Sequence, residues 1–139
     1  PVAQKHLGDA RPIDHSHTDL VTLFQSMHSQ TLHTQQIQLD PRSAAAVVAV
    51  SGGYPGDYKT GMAIDGLDQP PLDDCLVFHA GTKMDKNEVL TNGGRVLVVS
   101  AMGDNIRESA ELANYMMEQI HFDDLYHRPD IGFEFIPAD

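Results

Sequence analysis

Hydrophobic residues near the start of the chain follow the spacing of one helical face. They fall at positions i, i+3, i+4 and i+7, in the order Leu20, Leu23, Phe24 and Met27. Thr18 is a suitable N-cap residue, and Asp19 suits the positive end of the helix dipole in the first turn. The pattern therefore predicts a helix that starts after Thr18 and frays near Gln30.

The middle of the chain carries short apolar runs separated by turn residues, which is typical of strands. The runs are QIQLD (36–40), AAAVVAV (44–50), GMAIDGL (61–67), CLVFHA (75–80) and RVLVVSA (95–101). QIQLD alternates apolar and polar residues, which predicts a half-buried strand. AAAVVAV is apolar throughout, which predicts a strand buried on both faces.

Turn residues separate these runs. DPRS (40–43) predicts a turn in which Asp40 bonds its own backbone. DQPPLDD (68–74) predicts a loop, since proline cannot donate to a sheet. KMDKNEVLT (83–91) has a polar tip between strand-like flanks and predicts a hairpin. TNGG (91–94) predicts a tight turn, because Asn and Gly tolerate positive φ.

The hydrophobic period becomes helical again in the last third. The apolar stripe of this predicted helix is Ile106, Ala110, Ala113, Met117 and Ile120. Asn105 and Glu108 have the spacing of a capping box. IGFEF (131–135) alternates and predicts a final strand. The chain is therefore predicted to be an α+β fold, with a mostly antiparallel, barrel-like sheet and two flanking helices.

Composition narrows the class of protein. The chain has 139 residues, of which 41% are hydrophobic, and this size and composition predict one globular domain. Nine Lys and Arg against 20 Asp and Glu give a net charge of −11, which argues against nucleic-acid binding. No apolar run approaches the ~20 residues of a membrane span. The single cysteine, Cys75, lies in an apolar run and predicts a buried side chain in a reducing, cytoplasmic location.

Four glycine-containing turns and one arginine are the candidate binding features. The turns are SGGYPG (51–56), HAGT (79–82), NGGR (92–95) and AMGD (101–104). Glycine lets the backbone approach a ligand closely, but ordinary turns explain any one of these segments equally well. Arg95 follows two glycines at the mouth of a predicted strand. Its guanidinium suits either a phosphate or carboxylate ligand or a structural salt bridge, and the spacing does not decide between them.

Other candidate chemistry is weaker. His79 ends a predicted strand and suits a base or a ligand contact, although a hydrogen-bonded structural histidine is the more common case. The cluster DHSHTD (14–19) contains His-x-His but lacks further ligands at a zinc spacing, and a solvated segment is favoured. No P-loop, dinucleotide fingerprint or catalytic triad is present in the sequence.

Four segments together resemble the C-terminal domain of the phosphoribosylamine–glycine ligase family, over roughly residues 18–136. They are DPRSAAAVVAVSGGYPGDYKTG, VFHAGTK, VLTNGGRVLVVSAMGD and IHFDDLYHRPDIGFEF. The family consists of ATP-grasp ligases of purine biosynthesis, which use ATP and magnesium to activate glycine before phosphoribosylamine attacks. The resemblance favours substrate binding by Ser51, Gly52, Gly53, Tyr54, His79, Gly81, Thr82, Asn92, Gly93, Gly94 and Arg95.

The resemblance also implies a division of the chain. Residues 1–17 are expected to be an arm left from the preceding ATP-grasp region, and residues 18–139 the ligase C-terminal domain. Gly8 and Asp9 resemble the start of the family's Gly-Asp-Pro-Glu motif, but Ala10 and Arg11 replace its last two residues. The family's magnesium ligands do not precede this stretch.

The resemblance therefore implies a piece of the ligase that is inactive alone. It implies no tightly bound ATP or magnesium in this chain, and the remaining ATP-grasp domains and small-molecule substrates as its partners. The alternative is a stand-alone, non-enzymatic module that binds a small anion or a protein. A start codon immediately before Pro1 in the encoding reading frame would favour that alternative.

Overall fold

The computed structural model describes residues 18–70 and 72–135, which divide into two units at residues 42 and 43. The elements in chain order are α1 (Leu20–His28), β1 (Ser43–Val50), β2 (Cys75–His79), β3 (Thr82–Asp85), β4 (Glu88–Thr91), β5 (Arg95–Gly103) and α2 (Ile106–Met117). Short 3₁₀ helices occur at Leu32–Thr34 and Phe133–Phe135. Within the described ranges, no helix has the length and apolar character needed to cross a membrane. The predicted arm, residues 1–17, lies outside the described residues.

The predicted first helix is confirmed, with Asp19 rather than Thr18 as its N-cap. The Asp19 carboxylate accepts hydrogen bonds from the Thr22 backbone N–H at 2.8 Å and the Thr22 hydroxyl at 2.6 Å. These bonds stabilise the ionised form and hold the pKa of Asp19 below its ordinary value. The predicted apolar face is largely exposed, since Phe24 and Met27 keep 59% and 58% of their surface.

The prediction of a strand over QIQLD is wrong. Residues 35–38 are irregular, and the Gln38 N–H donates to the Thr18 hydroxyl at 3.0 Å rather than entering a sheet. Ile37 and Leu39 are 54% and 66% exposed, so no buried face fixes a strand register here. The turn after this segment is confirmed, because Asp40 Oδ1 accepts the Arg42 N–H at 2.9 Å.

The second unit is built on a three-stranded antiparallel sheet of order β1–β5–β2. Strand β5 is central, and its Val99 lies opposite Val47 of β1 and Val77 of β2. Helix α2 packs on the face that carries these residues and contributes Ala113, Met116 and Met117 to the core. The prediction that β1 is buried on both faces is wrong. Its residues 45, 47 and 49 are buried, whereas 44, 46, 48 and 50 are half-buried or exposed.

The predicted hairpin is confirmed as β3 and β4, which form a separate two-stranded sheet. Lys86 and Asn87 at its tip have φ of 44° and 71°, as a two-residue hairpin turn requires. The strand predicted for GMAIDGL does not form. Ala63 forms an isolated β-bridge with Leu90, and Asp65 forms one with His121. Because the two bridges go to different segments, no continuous strand pairing forms here.

The second helix and its capping box are confirmed. The Glu108 N–H donates to Asn105 Oδ1 at 3.0 Å, and Asn105 Nδ2 donates to Glu108 Oε1 at 2.7 Å. Ile120 lies beyond the helix end but is still buried. The final strand predicted for IGFEF is wrong, because Gly132 has φ +85° and i→i+3 hydrogen bonds turn the chain into a 3₁₀ helix.

The predicted α+β class is confirmed, but its barrel-like form is not. In the described part of the chain, β1 and β2 are the edge strands of the main sheet, and the hairpin forms a separate sheet. No closed barrel is therefore found among these strands.

The two faces of the main sheet should respond differently to truncation. We expect Leu97→Ala to lower the free energy of unfolding by about 3 kcal/mol, because Leu97 is fully buried and leaves a cavity. Leu76 lies on the other face and is half-buried, so Leu76→Ala should cost about 1 kcal/mol or less. Urea denaturation of both variants measures the difference. Equal losses would contradict this assignment of the two faces.

Cys75 should be an unreactive thiol in the folded chain. It is buried in the core, and burial raises the pKa of its thiol to about 11 from 9.0. At pH 8, reaction with an aromatic disulfide reagent should be about 100-fold slower than in urea, because the folded chain holds about 100-fold less thiolate. The unfolded chain also loses its proton first, so the thiol contribution to stability falls as pH rises from 9.0 to about 11. Equal reaction rates in both states would contradict the burial.

Candidate functional site

Ser51 joins two of the glycine-containing turns. Its backbone N–H donates to the Gly94 carbonyl at 2.8 Å, and its hydroxyl donates to the Gly93 carbonyl at 2.9 Å. Ser51 is 4% exposed, so both bonds are shielded from water. The segments SGGYPG and NGGR, 42 residues apart between Ser51 and Gly93, are thus held side by side at one end of β5.

The turn HAGT lies at the same end of the sheet. The Asn92 N–H donates to the Gly81 carbonyl at 2.7 Å, which places HAGT against NGGR. A Cβ at Gly81 would lie 2.5 Å from the Arg95 carbonyl oxygen and 2.9 Å from Gly93 Cα. The two backbones therefore approach too closely for any side chain at position 81. Three of the four predicted turns meet here.

The fourth turn, AMGD, does not belong to this group. Gly103 ends β5, whereas Arg95 begins it, so the two lie about 26 Å apart at ~3.3 Å per residue. A Cβ at Gly103 would lie 2.7 Å from the Ser109 backbone nitrogen. Gly103 therefore allows α2 to pack closely against the end of β5, which is a structural role.

Close packing explains the glycines of NGGR better than positive φ does. Gly93 and Gly94 are absent from the positive-φ residues among those described, so the reason predicted for this turn is wrong. A Cβ at Gly94 would lie 2.0 Å from the Tyr54 ring, which covers this glycine. Tyr54 in turn meets the ring of Tyr58 edge-on, with 6.0 Å between the ring centroids. Gly53 is the residue in this group that does need positive φ, at +93°.

Backbone donors remain open in these turns. The N–H groups of Gly52, Gly53, Gly93 and Gly94 donate to no acceptor among the described residues. Backbone N–H groups usually find an acceptor, and successive free ones in a turn form binding sites for anions. We call SGGYPG, HAGT and NGGR, which meet at the start of β5, the joined turns. Two of these neighbouring turns therefore offer backbone N–H groups that have no acceptor.

Arg95 adds a positive charge beside these donors. Its side chain is exposed at the start of β5, directly after Gly94. Within residues 18–70 and 72–135, its guanidinium forms no hydrogen bond or ion pair. The salt bridge that was the structural alternative for this arginine is thus not seen in the described part of the chain.

His79 and Thr82 contact each other within the HAGT turn. His79 Nδ1 lies 3.0 Å from the Thr82 hydroxyl, and both residues are half-buried. His79 sits opposite Leu97 on the core-facing side of the sheet. This contact agrees with the interpretation of His79 as a hydrogen-bonded structural histidine. It also restricts the side chains of His79 and Thr82 at the edge of the joined turns.

No metal site accompanies these features. Among the described residues, no three His, Cys, Asp or Glu side chains are grouped so that they could hold a metal ion. Of the DHSHTD cluster, Thr18 and Asp19 are described, and Asp19 caps α1. The two histidines, His15 and His17, lie outside the described residues.

The sequence did not reveal a fourth segment at this site. The backbone of Tyr126 exchanges two hydrogen bonds with Val50, at 2.9 and 3.1 Å, just before Ser51. A Cβ at Gly52 would lie 2.6 Å from Asp124 Cβ, so residues 124–126 pack against the first glycine turn. In the sequence, residues 124–126 lie in a polar, aromatic stretch that has no clear hydrophobic period. Local patterns therefore did not predict that this stretch packs against the first glycine turn.

Comparison with known proteins agrees with this architecture. Residues 44–134 match the family model described as "Phosphoribosylglycinamide synthetase, C domain". The chain is 43% identical over 120 residues to phosphoribosylamine–glycine ligase from Escherichia coli O157:H7, covering 86% of this chain and 28% of the relative. The Vibrio cholerae ligase is 40% identical over 119 residues, with the same coverage.

A solved structure supports the same assignment. The crystal structure of the Thermotoga maritima ligase superposes with a TM-score of 0.59 at 28% identity, over 80% of this chain and 29% of that one. The chain thus spans less than a third of the length of these relatives. The family match covers residues 44–134 of the second unit, including most of β1, all of β5 and the three joined turns. The chain therefore belongs to the phosphoribosylglycinamide synthetase C-domain family.

Proposed function

We propose that this chain is the C-terminal domain of a phosphoribosylamine–glycine ligase, with residues 18–139 as the domain and 1–17 as an arm from the preceding region. In that role it contributes to joining glycine to 5-phosphoribosylamine with conversion of ATP to ADP. The observation that carries this proposal is 43% identity to such a ligase over 86% of the chain. No observation favours the alternative of a stand-alone, non-enzymatic module.

The joined turns are proposed as the substrate-facing part of the domain. Phosphoribosylamine carries a phosphate, glycine a carboxylate, and an activated glycine an acyl phosphate, so each reactant or intermediate presents anionic oxygens. Unused N–H groups and a guanidinium without an ion pair are the donors that bind such oxygens. The proposed substrate-binding residues are Ser51, Gly52, Gly53, Tyr54, His79, Gly81, Thr82, Asn92, Gly93, Gly94 and Arg95.

We propose three roles among these residues. Arg95 and the glycine N–H groups would donate to the ligand. Ser51 would hold the two glycine turns at a fixed separation through its two carbonyl contacts. The Tyr54 ring covers Gly94 and would keep water from one side of the turn. A preorganised set of donors stabilises developing negative charge without needing to rearrange.

ATP and magnesium are proposed to bind elsewhere in the ligase. The described residues offer no metal-ligand group, and the relatives have about 72% of their length outside the matched segment. The partners of this domain are then the other ATP-grasp domains and the small-molecule substrates, with no nucleic acid or membrane. We propose the cytoplasm as its location, in line with a single, buried, free cysteine.

A chimeric ligase tests the function. In this protein, the chain replaces the matched C-terminal segment of the E. coli relative. We expect the chimera to release ADP only when both glycine and phosphoribosylamine are present. The 139-residue chain alone should release none, because it spans 28% of the relative and lacks a metal-ligand group in its described part. ADP release by the isolated chain, or a folded chimera without activity, would contradict the proposal.

Arg95→Lys in the chimera tests the substrate-facing role. Lysine keeps the charge but loses the two-pronged donor geometry, a loss of about 1.5–3 kcal/mol for a bidentate contact. We expect kcat/KM to fall by about tenfold or more, with an unchanged melting temperature because Arg95 has no described ion pair to lose. Arg107→Lys, on α2 at the far end of β5, is the matched control and should leave kcat/KM unchanged. Unchanged kinetics in Arg95→Lys would remove Arg95 from the site.

A further inference from the structure

One carboxylate residue lies directly against the joined turns and has no role in the site as described above. A Cβ at Gly52 would lie 2.6 Å from Asp124 Cβ and 2.8 Å from the Asp124 carbonyl oxygen. The two backbone hydrogen bonds between Val50 and Tyr126 hold the two segments at this separation. Asp124 is therefore fixed beside the first of the glycines whose N–H groups have no acceptor.

The Asp124 carboxylate has no partner in the part of the chain that the structure describes. The residue is exposed, and its side chain forms no hydrogen bond or ion pair with residues 18–70 or 72–135. It does not pair with Arg95, which belongs to the same group of turns. The joined turns thus present one positive and one negative side chain that do not neutralise each other.

The backbone of Asp124 has a conformation that glycine would adopt more easily. Its φ is +60°, at the third position of a turn in which the Leu125 N–H donates to the Phe122 carbonyl at 3.1 Å. Asp and Asn tolerate positive φ better than most residues do, but glycine is the residue that this position of a turn favours. The turn itself therefore gives no reason for an acidic side chain at position 124.

The reactants of the proposed ligase require an acceptor as well as donors. Glycine carries an ammonium group beside its carboxylate, and phosphoribosylamine carries an amino group on the same molecule as its phosphate. The turn N–H groups and Arg95 have only protons to donate, so they bind the anionic oxygens and not the nitrogen. A carboxylate accepts charge-assisted hydrogen bonds from an amino or ammonium group.

We propose that Asp124 is a substrate-binding residue whose carboxylate accepts hydrogen bonds from a substrate amino group, that of glycine or that of phosphoribosylamine. This contact rests on the proposed function, which supplies both substrates. Asp124 also determines specificity, because an anion without an amino group meets only repulsion from its charge, whereas an anion with an amino group gains a contact. Arg95 and the turn N–H groups then select for anionic oxygens, and Asp124 selects for the nitrogen.

Asp124→Asn in the chimeric ligase tests this contact. Asparagine has the same size and tolerates φ of +60°, but it carries no charge. We expect KM for one of the two amino substrates to rise about tenfold, and that substrate is the one that Asp124 binds. Asp123→Asn is the matched control, since Asp123 is an exposed acid in the same turn. It makes the same change in net charge and should leave both KM values unchanged.

Analogues without an amino group test the specificity. Ribose 5-phosphate has a hydroxyl in place of the amino group of phosphoribosylamine, and acetate is glycine without its amino group. Their inhibition constants should stay the same or fall in Asp124→Asn, because the substitution removes a repulsion. Weaker binding of substrates and analogues alike would indicate a distorted site and overturn the proposal. Unchanged KM values for both substrates would also overturn it.

Asp124→Gly separates the carboxylate from the backbone. Glycine adopts φ of +60° more readily than aspartate, so the melting temperature should not fall. The same rise in KM as in Asp124→Asn is nevertheless expected, because both variants lack the carboxylate. KM values in Asp124→Gly equal to those of the unmodified chimera would show that the carboxylate is not needed.

Failure of this contact is distinguishable from failure of the proposed function. Calorimetric titration with glycine, and with phosphoethanolamine as a stable molecule that has an amino group and a phosphate, needs no turnover. An inactive but folded chimera in which Asp124→Asn weakens either binding about tenfold keeps the contact and removes the function. An active chimera whose KM values are insensitive to Asp124→Asn keeps the function and removes the contact. A folded chimera that neither reacts nor binds either molecule removes both.

Discussion

The hydrogen bonds from Ser51 to the carbonyls of Gly93 and Gly94 hold together the glycine turns at the start of β5. They join the exit of β1 to the entrance of β5, which are far apart in sequence. Because the bonds are buried, breaking one would leave a polar group without a partner and without water. The close approach of Gly81 to Gly93 and Arg95 then adds the third turn. Every candidate binding residue depends on this arrangement of backbones.

The central position of β5 links that end to the rest of the fold. One face of β5 packs in the core with α2, the other carries Val98, Ser100 and Met102, and its first residue is the candidate anion-binding arginine. A substitution that distorts β5 is therefore expected to affect both faces of the sheet and the position of Arg95. The strand also separates them in space, because the glycine turns lie at its start and the contact of Gly103 with α2 lies at its end.

The two faces of the main sheet differ in their burial. A domain evolved to exist alone would gain solubility from charged residues on the outer side of its sheet. Here that side is uncharged, while the surface elsewhere carries a strong negative charge.

The sequence by itself determined the elements whose cause is local. The first helix, the capping box of Asn105 and Glu108, the hairpin tip at Lys86 and Asn87, and the central strand were all predictable, because neighbouring residues supply their hydrogen bonds or their period. The family could also be inferred from four segments in order. Strands at QIQLD, GMAIDGL and IGFEF were predicted wrongly, because an alternating pattern forms a strand only where a neighbouring strand pairs with it along several residues.

Tertiary structure alone decided which surfaces meet. Whether β1 was buried on one face or two depended on where α2 packed, which the apolar run could not show. The glycines of NGGR fitted a positive-φ turn equally well in sequence, but the structure assigns them to close approach of Tyr54 and Gly81. The meeting of residues 51, 81, 93 and 124 joins segments separated by up to 73 positions, and no local pattern encodes such a distance. The absence of a described ion pair at Arg95 is likewise a property of the packed chain, because a salt bridge depends on which acids the fold brings within reach.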